Sequence, residues 1–275
     1  MENEASKAQI VKIDSNSDQQ GKLIVDLIAE KSTLSKSLIK KLMVNGSVFV
    51  CKLKKRTRVR KAKSTIKAEE RIECFYDPSI PLNQEFEFPL LHSTRHYGVY
   101  LKPAGALSQG TDYGDQSSLI RSVEKEKRYA YLVNRLDRET EGLVIVAYDS
   151  RTQNLFQEMW RANVEKKYQA IVFGNLEGEG IIDTKMNGKE AETHYQAIST
   201  EGNQTNVEIR IVTGRKHQIR IHLSDLGYPV MGDPKYGKYN KNKDGLKLIA
   251  YELNFKDPQK KKRITVTIPT EKMLF

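Results

Sequence analysis

Residues 131–147 read YLVNRLDRETEGLVIVA, two apolar runs on either side of a compact charged segment. The GLVIVA half has the length and composition of a strand buried on both faces. Read as extended chain, YLVNRLD would put Arg135 and Asp137 on one face and turn Leu136 to the other. RETE is then a tight polar connection, and Gly142 lets the chain re-enter the sheet. The strand pair would hold an arginine and a carboxylate together at the mouth of a core. A carboxylate beside an arginine is favoured in its ionised form, which suits a nucleophile or an electrostatic stabiliser better than an acid. On geometry alone, a structural ion pair is the commoner explanation of such a residue pair.

Working outward, strand patterns recur at GVYLKP, KKYQAIVFG, EGIIDTK, AETHYQAIS, TNVEIRIVTG, KLIAYELNF and ITVTIP. DSRTQNLFQEMWRAN reads as a helix capped by Asp149 or Ser150, with Leu155, Phe156 and Met159 on its apolar stripe. HQIRIHLSDLG reads as a shorter helix stopped by Gly227. Many strands with a few interspersed helices predict an α+β fold with a mostly antiparallel, mixed sheet and flanking helices, over residues 95–275. The segment 78–94 carries three of the eight prolines and reads as a linker.

The first third differs. Residues 1–20 are polar and read as a mobile segment. GKLIVDLIAEK places Leu23, Leu27 and Ile28 on one helical stripe. LSKSLIKKLMVNG does the same with Leu38, Ile39, Leu42 and Met43, with Ser35 as N-cap and Asn45-Gly46 as the stop. SVFVCKL and RIECFYD read as strands. Between them lies KLKKRTRVRKAKSTIK, nine basic side chains from Lys52 to Lys67 with no acid among them. Like charges this close repel, and bound phosphates would offset that repulsion. A charge run is usually a solvated hairpin, but Lys54, Lys55, Arg56, Arg58, Arg60 and Lys61 are on this argument candidate nucleic-acid contacts.

Composition bounds the rest. The chain has 275 residues and a net charge of +11, of which residues 1–80 carry +7. Such a surplus points to an anionic partner, nucleic acid before an acidic membrane surface. No apolar run approaches the roughly 20 residues that span a bilayer, and no secretory leader is visible, so a cytoplasmic protein without a membrane partner is expected. Two cysteines, Cys51 and Cys74, are too few for a disulfide framework or a thiolate zinc site. His217 and His222, five apart, fall on different sides of a helix. No metal and no cofactor are expected, and a monomer is the default.

Two further constellations bear on Asp137. TGRKHQIRIHLSDLGYPVMGDPKYG brings Arg215, His217 and Arg220 into six positions after a Thr-Gly turn, a pattern suited to phosphate or carboxylate. His217 and Arg220 can share a helix face. EKKYQAIVFG sets Tyr168 in a strand with Ala170 and Val172; a core-edge tyrosine is its commoner explanation, a ring beside a flipped base the functional one.

Taken in order, NRLDRETEGLVIVA, KKYQAIVFG and TGRKHQIRIHLSDLGYPVMGDPKYG closely resemble the three motifs of the RluA-type pseudouridine synthases, with YLKPAGALSQG similar to their Lys-Pro-x-Gly entry segment. The earlier unit, LSKSLIKKLMVNGSVFV with EERIECFYD, resembles the S4 RNA-binding domain, which places that domain at 21–77; the basic insertion has no counterpart there. Asn134 stands where the family usually has His, and Glu141 where it has Ser. Asn134 can still donate and accept hydrogen bonds, so the turn should survive, whereas Glu141 adds negative charge near the presumed RNA groove.

The resemblance implies isomerisation of uridine in structured RNA to pseudouridine, ribosomal RNA being favoured and tRNA possible, without a cofactor. It makes Asp137 the carboxylate that stabilises or traps positive charge on the ribose, Tyr168 the ring against the uracil that helps move the C5 proton, and Arg220 the partner of the aspartate. Arg135 would fill the space left by the flipped nucleotide, and Arg215 and His217 would face RNA. The main rival is an inactive RNA-binding assembly factor with the same fold. A glycoside hydrolase using Asp137 and a second acid fits the charge less well.

Overall fold

The computed structural model describes residues 7–82, 84–237 and 244–275. The chain divides into two compact units, residues 1–86 with 109–122, and residues 87–108 with 123–275. Unit one is therefore discontinuous, and the division after Phe86 falls inside the proline-bearing segment.

In unit one, β1 (Gln9–Asp14) is followed by α1 (Ile24–Glu30), α2 (Lys36–Asn45), β2 (Val48–Lys52), β3 (Lys55–Arg58) and β4 (Arg71–Tyr76). The strands form an antiparallel sheet in the order β1-β4-β2-β3. Ser35 caps α2 by accepting from the Leu38 N–H, and Gly46 ends it at φ 85°, a conformation that costs a glycine little. Ile24, Leu27, Ile28, Ile39, Leu42 and Met43 pack with Val48 and Ile72 as one core. Two expectations are corrected. The 1–20 segment is not simply mobile, because Gln9–Asp14 pairs residue for residue with β4; Val11 and Ile13 alternate inward, too short a signal to stand out among polar neighbours. Leu23 is exposed and precedes α1, so Ile24 takes the buried place on that helix.

Unit two carries β5 (Leu90–Ser93), β6 (Tyr97–Lys102), β7 (Tyr131–Leu132), β8 (Glu141–Ala147), α4 (Ser150–Asn163), β9 (Val164–Phe173), β10 (Glu179–Ile182), β11 (Thr193–Glu201), β12 (Gln204–Ile211), α5 (Gln218–Asp225), β13 (Leu248–Lys256) and β14 (Arg263–Thr267), while the division after Ser122 falls within α3 (Leu119–Glu126). The sheet runs β10-β11-β12-β9-β13-β8-β6-β5, with β14 on β13 and β7 on β8. All pairings are antiparallel except β13 with β8. The fold is α+β with a mostly antiparallel, mixed sheet. Asp149 caps α4 through the Thr152 N–H, and Gly227, at φ 96°, follows α5. β5 lies within the segment read as linker.

The opening stretch is only half a hairpin. β7 covers two residues, and residues 133–140 form an irregular loop rather than a strand. The Asn134 side chain explains why: its Oδ1 accepts from the Ile145 N–H at 2.8 Å and its Nδ2 donates to the Leu143 carbonyl at 3.2 Å. The amide thus takes the place of a ladder partner on β8 and frees the backbone beyond it to curl. The expectation that Asn134 would keep the turn is met by these two bonds. Among the described residues, no helix is long and apolar enough to cross a membrane.

Candidate active site

The centre of unit two is set by sheet register. Gly142 of β8 lies beside Ala250 of β13, Ala250 beside Tyr168 of β9, and Tyr168 beside Ile209 of β12. Gly142 has φ 134°, and a Cβ there would collide with the Ala250 backbone, so this glycine permits the close parallel pairing. Tyr168 accordingly sits about two strand spacings, roughly 10 Å, from Gly142, just beyond the Asp137 loop.

Backbone clamps shape that loop. The buried Ser108 hydroxyl accepts from the Leu136 N–H at 3.0 Å and donates to the Leu136 carbonyl at 2.9 Å. Leu136 is buried, so Asp137 follows an anchored residue. The Lys102 ammonium, fully buried, donates to the carbonyls of Pro103, Ala106 and Arg138 at 2.9, 2.8 and 3.2 Å. The Gly105 N–H also donates to the Arg138 carbonyl, at 2.7 Å. Lysine and serine thereby tie the 103–108 segment to both sides of Asp137. Burial pulls the Lys102 pKa down to about 8, against the opposing charges of Glu139, Glu141 and Asp137.

Two side chains hold the Asp137 carboxylate. Arg220 Nη1 lies 3.4 Å from Oδ2 and His217 Nε2 lies 3.7 Å from Oδ1. Arg220 is itself fixed from behind: Nε and Nη2 meet the two carboxylate oxygens of Asp233 at 2.7 and 2.9 Å. Both partners are nearly inaccessible, 2% and 0% exposed. This two-pronged pair sets the plane of the guanidinium, leaving Nη1 for Asp137 and, at 3.6 Å, Glu139. Burial opposes charge on Arg220, and Asp233 more than offsets it. Burial likewise opposes charge on Asp233, but Arg220 and the N–H groups of Tyr236 and Lys235 hold its carboxyl below the usual range.

His217 adopts φ 58° at the start of α5, left-handed backbone that is uncommon outside glycine. Its Nδ1 is hydrogen-bonded to the Tyr236 hydroxyl at 2.8 Å, and burial lowers its pKa, partly offset by Asp137. The other ring nitrogen, Nε2, faces Asp137. The preceding turn is built by Gln218, whose Oε1 accepts from the Thr213 hydroxyl and the Arg215 N–H and whose Nε2 donates to the Glu192 carbonyl. Tyr168 is buried, and burial with the nearby Asp137 charge raises its pKa, keeping the phenol neutral.

The structure therefore gathers Asp137, His217 and Arg220, with Asp137 near enough to bear on Tyr168. Arg135 is exposed. Arg215 donates to the Glu190 carbonyl at 2.9 Å, which gives that guanidinium a role in the turn. Glu141 pairs with Lys272 at 3.7 Å, so its charge is partly balanced within unit two. Sequence reading gave no site role to Asp233, Lys102, Ser108 or Tyr236, although all four lie in stretches quoted for the resemblance; Glu139 was weighed only as a second acid for a glycoside hydrolase.

In unit one, the basic run separates into two sets. Arg56 meets Glu73 and Asp112 at 2.8 and 2.6 Å, and Arg58 and Arg60 share Asp115 at 3.1 and 2.6 Å. Arg58 also bonds the Gly46 carbonyl, and the Arg56 guanidinium stacks 3.7 Å from the Phe49 ring centroid. Lys54, Lys55 and Lys61 are exposed.

Comparison with known proteins fits this arrangement. Residues 96–225 match the family model described as RNA pseudouridylate synthase. The chain is 29% identical to the ribosomal large subunit pseudouridine synthase C of Buchnera aphidicola subsp. Baizongia pistaciae, over 98% of this chain and 96% of that one. It is 32% identical to the dual-specificity RNA pseudouridine synthase RluA of Yersinia pestis, over 54% of this chain and 81% of the relative. Human RNA pseudouridylate synthase domain containing 1 shares the fold, with a TM-score of 0.56 at 21% identity over 66% of this chain and 83% of that one.

Proposed function

From the premise that the chain belongs to the RluA-type pseudouridine synthases and is an RNA pseudouridine synthase, we propose that Asp137 is its catalytic carboxylate. The observation that carries this is the placement of Asp137 between Arg220 and His217, at 3.4 and 3.7 Å, with the guanidinium locked by the buried Asp233. Cleavage of the N1–C1′ bond develops positive charge on the ribose. A carboxylate fixed by a clamped loop meets that charge with little reorganisation. Arg220 keeps the carboxylate aimed. The neutral Tyr168 phenol offers a flat face to the uracil as it turns; C5 then bonds to C1′ in place of N1, the proton leaves C5 with help from Tyr168, and N1 gains a proton. Arg135, exposed at the edge of the loop, fills the place vacated by the flipped nucleotide, which offsets the few kcal/mol of unstacking.

Unit one is read as an S4-like domain that contacts RNA phosphates and shape rather than sequence. Large-subunit ribosomal RNA is the favoured substrate, supported by relatives named for that activity, and such a substrate places the enzyme in the cytoplasm. Transfer RNA is the second candidate, because one relative is named as dual-specificity. The test is a map of pseudouridines in RNA from cells lacking the gene, complemented with wild type or Asp137→Asn. At least one site should return with wild type alone, the variant losing rate by about 10³-fold or more. If every site returned equally with both, Asp137 would not be the catalytic group.

A further inference from the structure

The turn between β2 and β3 contains a residue that folding alone does not favour. Lys52 pairs with Lys55, so Leu53 and Lys54 form a two-residue hairpin loop. Leu53 has φ 52°, in a first loop position where hairpins ordinarily use glycine, asparagine or aspartate. It is also 96% exposed, the most exposed large hydrophobic side chain among the described residues. The backbone conformation and the exposure both disfavour leucine, and glycine would relieve both. A strained, outward apolar side chain of this kind is a pointer to contact with something else.

Its surroundings identify the partner. Lys54 and Lys55 follow the leucine and are exposed, while Lys52 before it donates to the Ala68 carbonyl and lies 3.8 Å from Glu69. The neighbouring arginines of the same run are turned to other work, Arg56 on Glu73 and Asp112, Arg58 and Arg60 on Asp115. Charge is thus neutralised along the hairpin's body and concentrated at its tip.

We infer that the Lys52–Lys55 tip is a nucleic-acid contact in which Leu53 packs on an unpaired base of the RNA while Lys54 and Lys55 meet the flanking phosphates. The inference rests on the reading of unit one as an RNA-binding unit and narrows that role from the whole basic run to its turn. An apolar side chain beside cations fits a splayed base, whose faces are apolar and whose backbone is anionic. The arginines of the same run also hold the hairpin in shape through Glu73, Asp112 and Asp115.

The full-length protein is titrated with a fluorescein-labelled RNA hairpin of mixed sequence bearing an unpaired loop, and with the same RNA annealed to its complement. Leu53→Gly should weaken binding to the looped RNA about three- to tenfold, leave the duplex affinity and the salt dependence unchanged, and unfold at the wild-type temperature or higher. Lys54→Gln with Lys55→Gln should weaken both RNAs and reduce the slope of log affinity against log salt by about 1.5. Wild-type affinity of both variants for the looped RNA, or an equal loss on loop and duplex for Leu53→Gly, overturns the proposal. Failure of the wild type to bind either RNA at low salt overturns the RNA-binding reading of unit one as a whole. Vesicles containing phosphatidylglycerol supply the other arm: release from them by Leu53→Gly with RNA binding untouched would make the tip a lipid contact and sink this assignment.

Discussion

Asp233 shows how much of a site's chemistry resides in a residue that does not face the substrate. It accepts from Arg220 through both oxygens and from the Lys235 and Tyr236 N–H groups at 2.8 and 3.0 Å. Asp233→Asn would replace the charged, two-oxygen partner of a buried guanidinium with a neutral amide that offers one acceptor and an opposing N–H donor. We expect a stability loss of about 3–5 kcal/mol and a fall in kcat, read by thermal unfolding and by rate at saturating RNA. Because the folded-state carboxyl is held below its usual value, its stabilisation is present above the unfolded pKa of about 4 and lost as pH falls through the folded value. The wild-type advantage over the variant should therefore shrink below about pH 4. Lys102 supplies a limb on the other side. Its ammonium has three N–H groups for three carbonyls, and the neutral amine has two. With a pKa of about 8, the fastening between residues 103–106 and Arg138 should loosen as pH rises through that value, lowering kcat. Lys102→Met should be slower throughout and lack this alkaline limb; an identical limb in both would sink the idea.

At the scale of elements, the site depends on one close strand approach. Gly142→Ala would force β8 from β13 or twist a non-glycine residue into φ 134°. We expect it to cost roughly 1–3 kcal/mol, the range for strain of this kind, and to cut the rate more than this loss of fold predicts, because Asp137 lies five residues before. Hydrogen exchange at Leu143 and Ala250 would report the opening directly. This glycine was legible, since GLVIVA after a charged turn requires a re-entry point. Strands β8, β9, β12 and β13 and helices α2 and α4 were legible for the same reason: long apolar patterns at one period. The loop of residues 133–140 was not, because its shape is set by Asn134 bonding across to Leu143 and Ile145, and no local pattern encodes a side chain that replaces a strand. The short β1 and α3 were missed too, one lacking enough residues to show a period and the other spanning only eight. The Asp137–Arg220 pair was anticipated through resemblance, whereas composition and spacing alone left Asp137 as a structural ion pair.

For the whole molecule, charge along the sequence misleads until connectivity is added. Residues 1–80 carry the surplus, yet unit one also includes residues 109–122, which bring Asp112 and Asp115 to the arginines of the basic run. That returning segment does more than balance charge. The Tyr113 carbonyl accepts from Asn45 Nδ2 and the Ser47 hydroxyl at 2.9 and 2.7 Å, and the Asp115 N–H donates to the Asn45 carbonyl at 2.9 Å. It therefore finishes the C-terminal end of α2, and TDYGDQSS, polar and without periodicity, gives no sign of this in sequence. A fragment ending at Phe86 would retain every strand of the first sheet and both helices but would leave Asn45 and Ser47 without those acceptors and Arg58 and Arg60 without Asp115. Each lost bond to a buried group is worth about 1 kcal/mol or more, against a total of only about 5–15 kcal/mol for a typical domain. We expect the fragment to melt well below the corresponding transition of the full chain, with the largest loss of amide protection at residues 43–47. Equal protection there in fragment and full chain would show that the first 86 residues fold without the returning segment, and that its acids serve only to tune the charge of the hairpin.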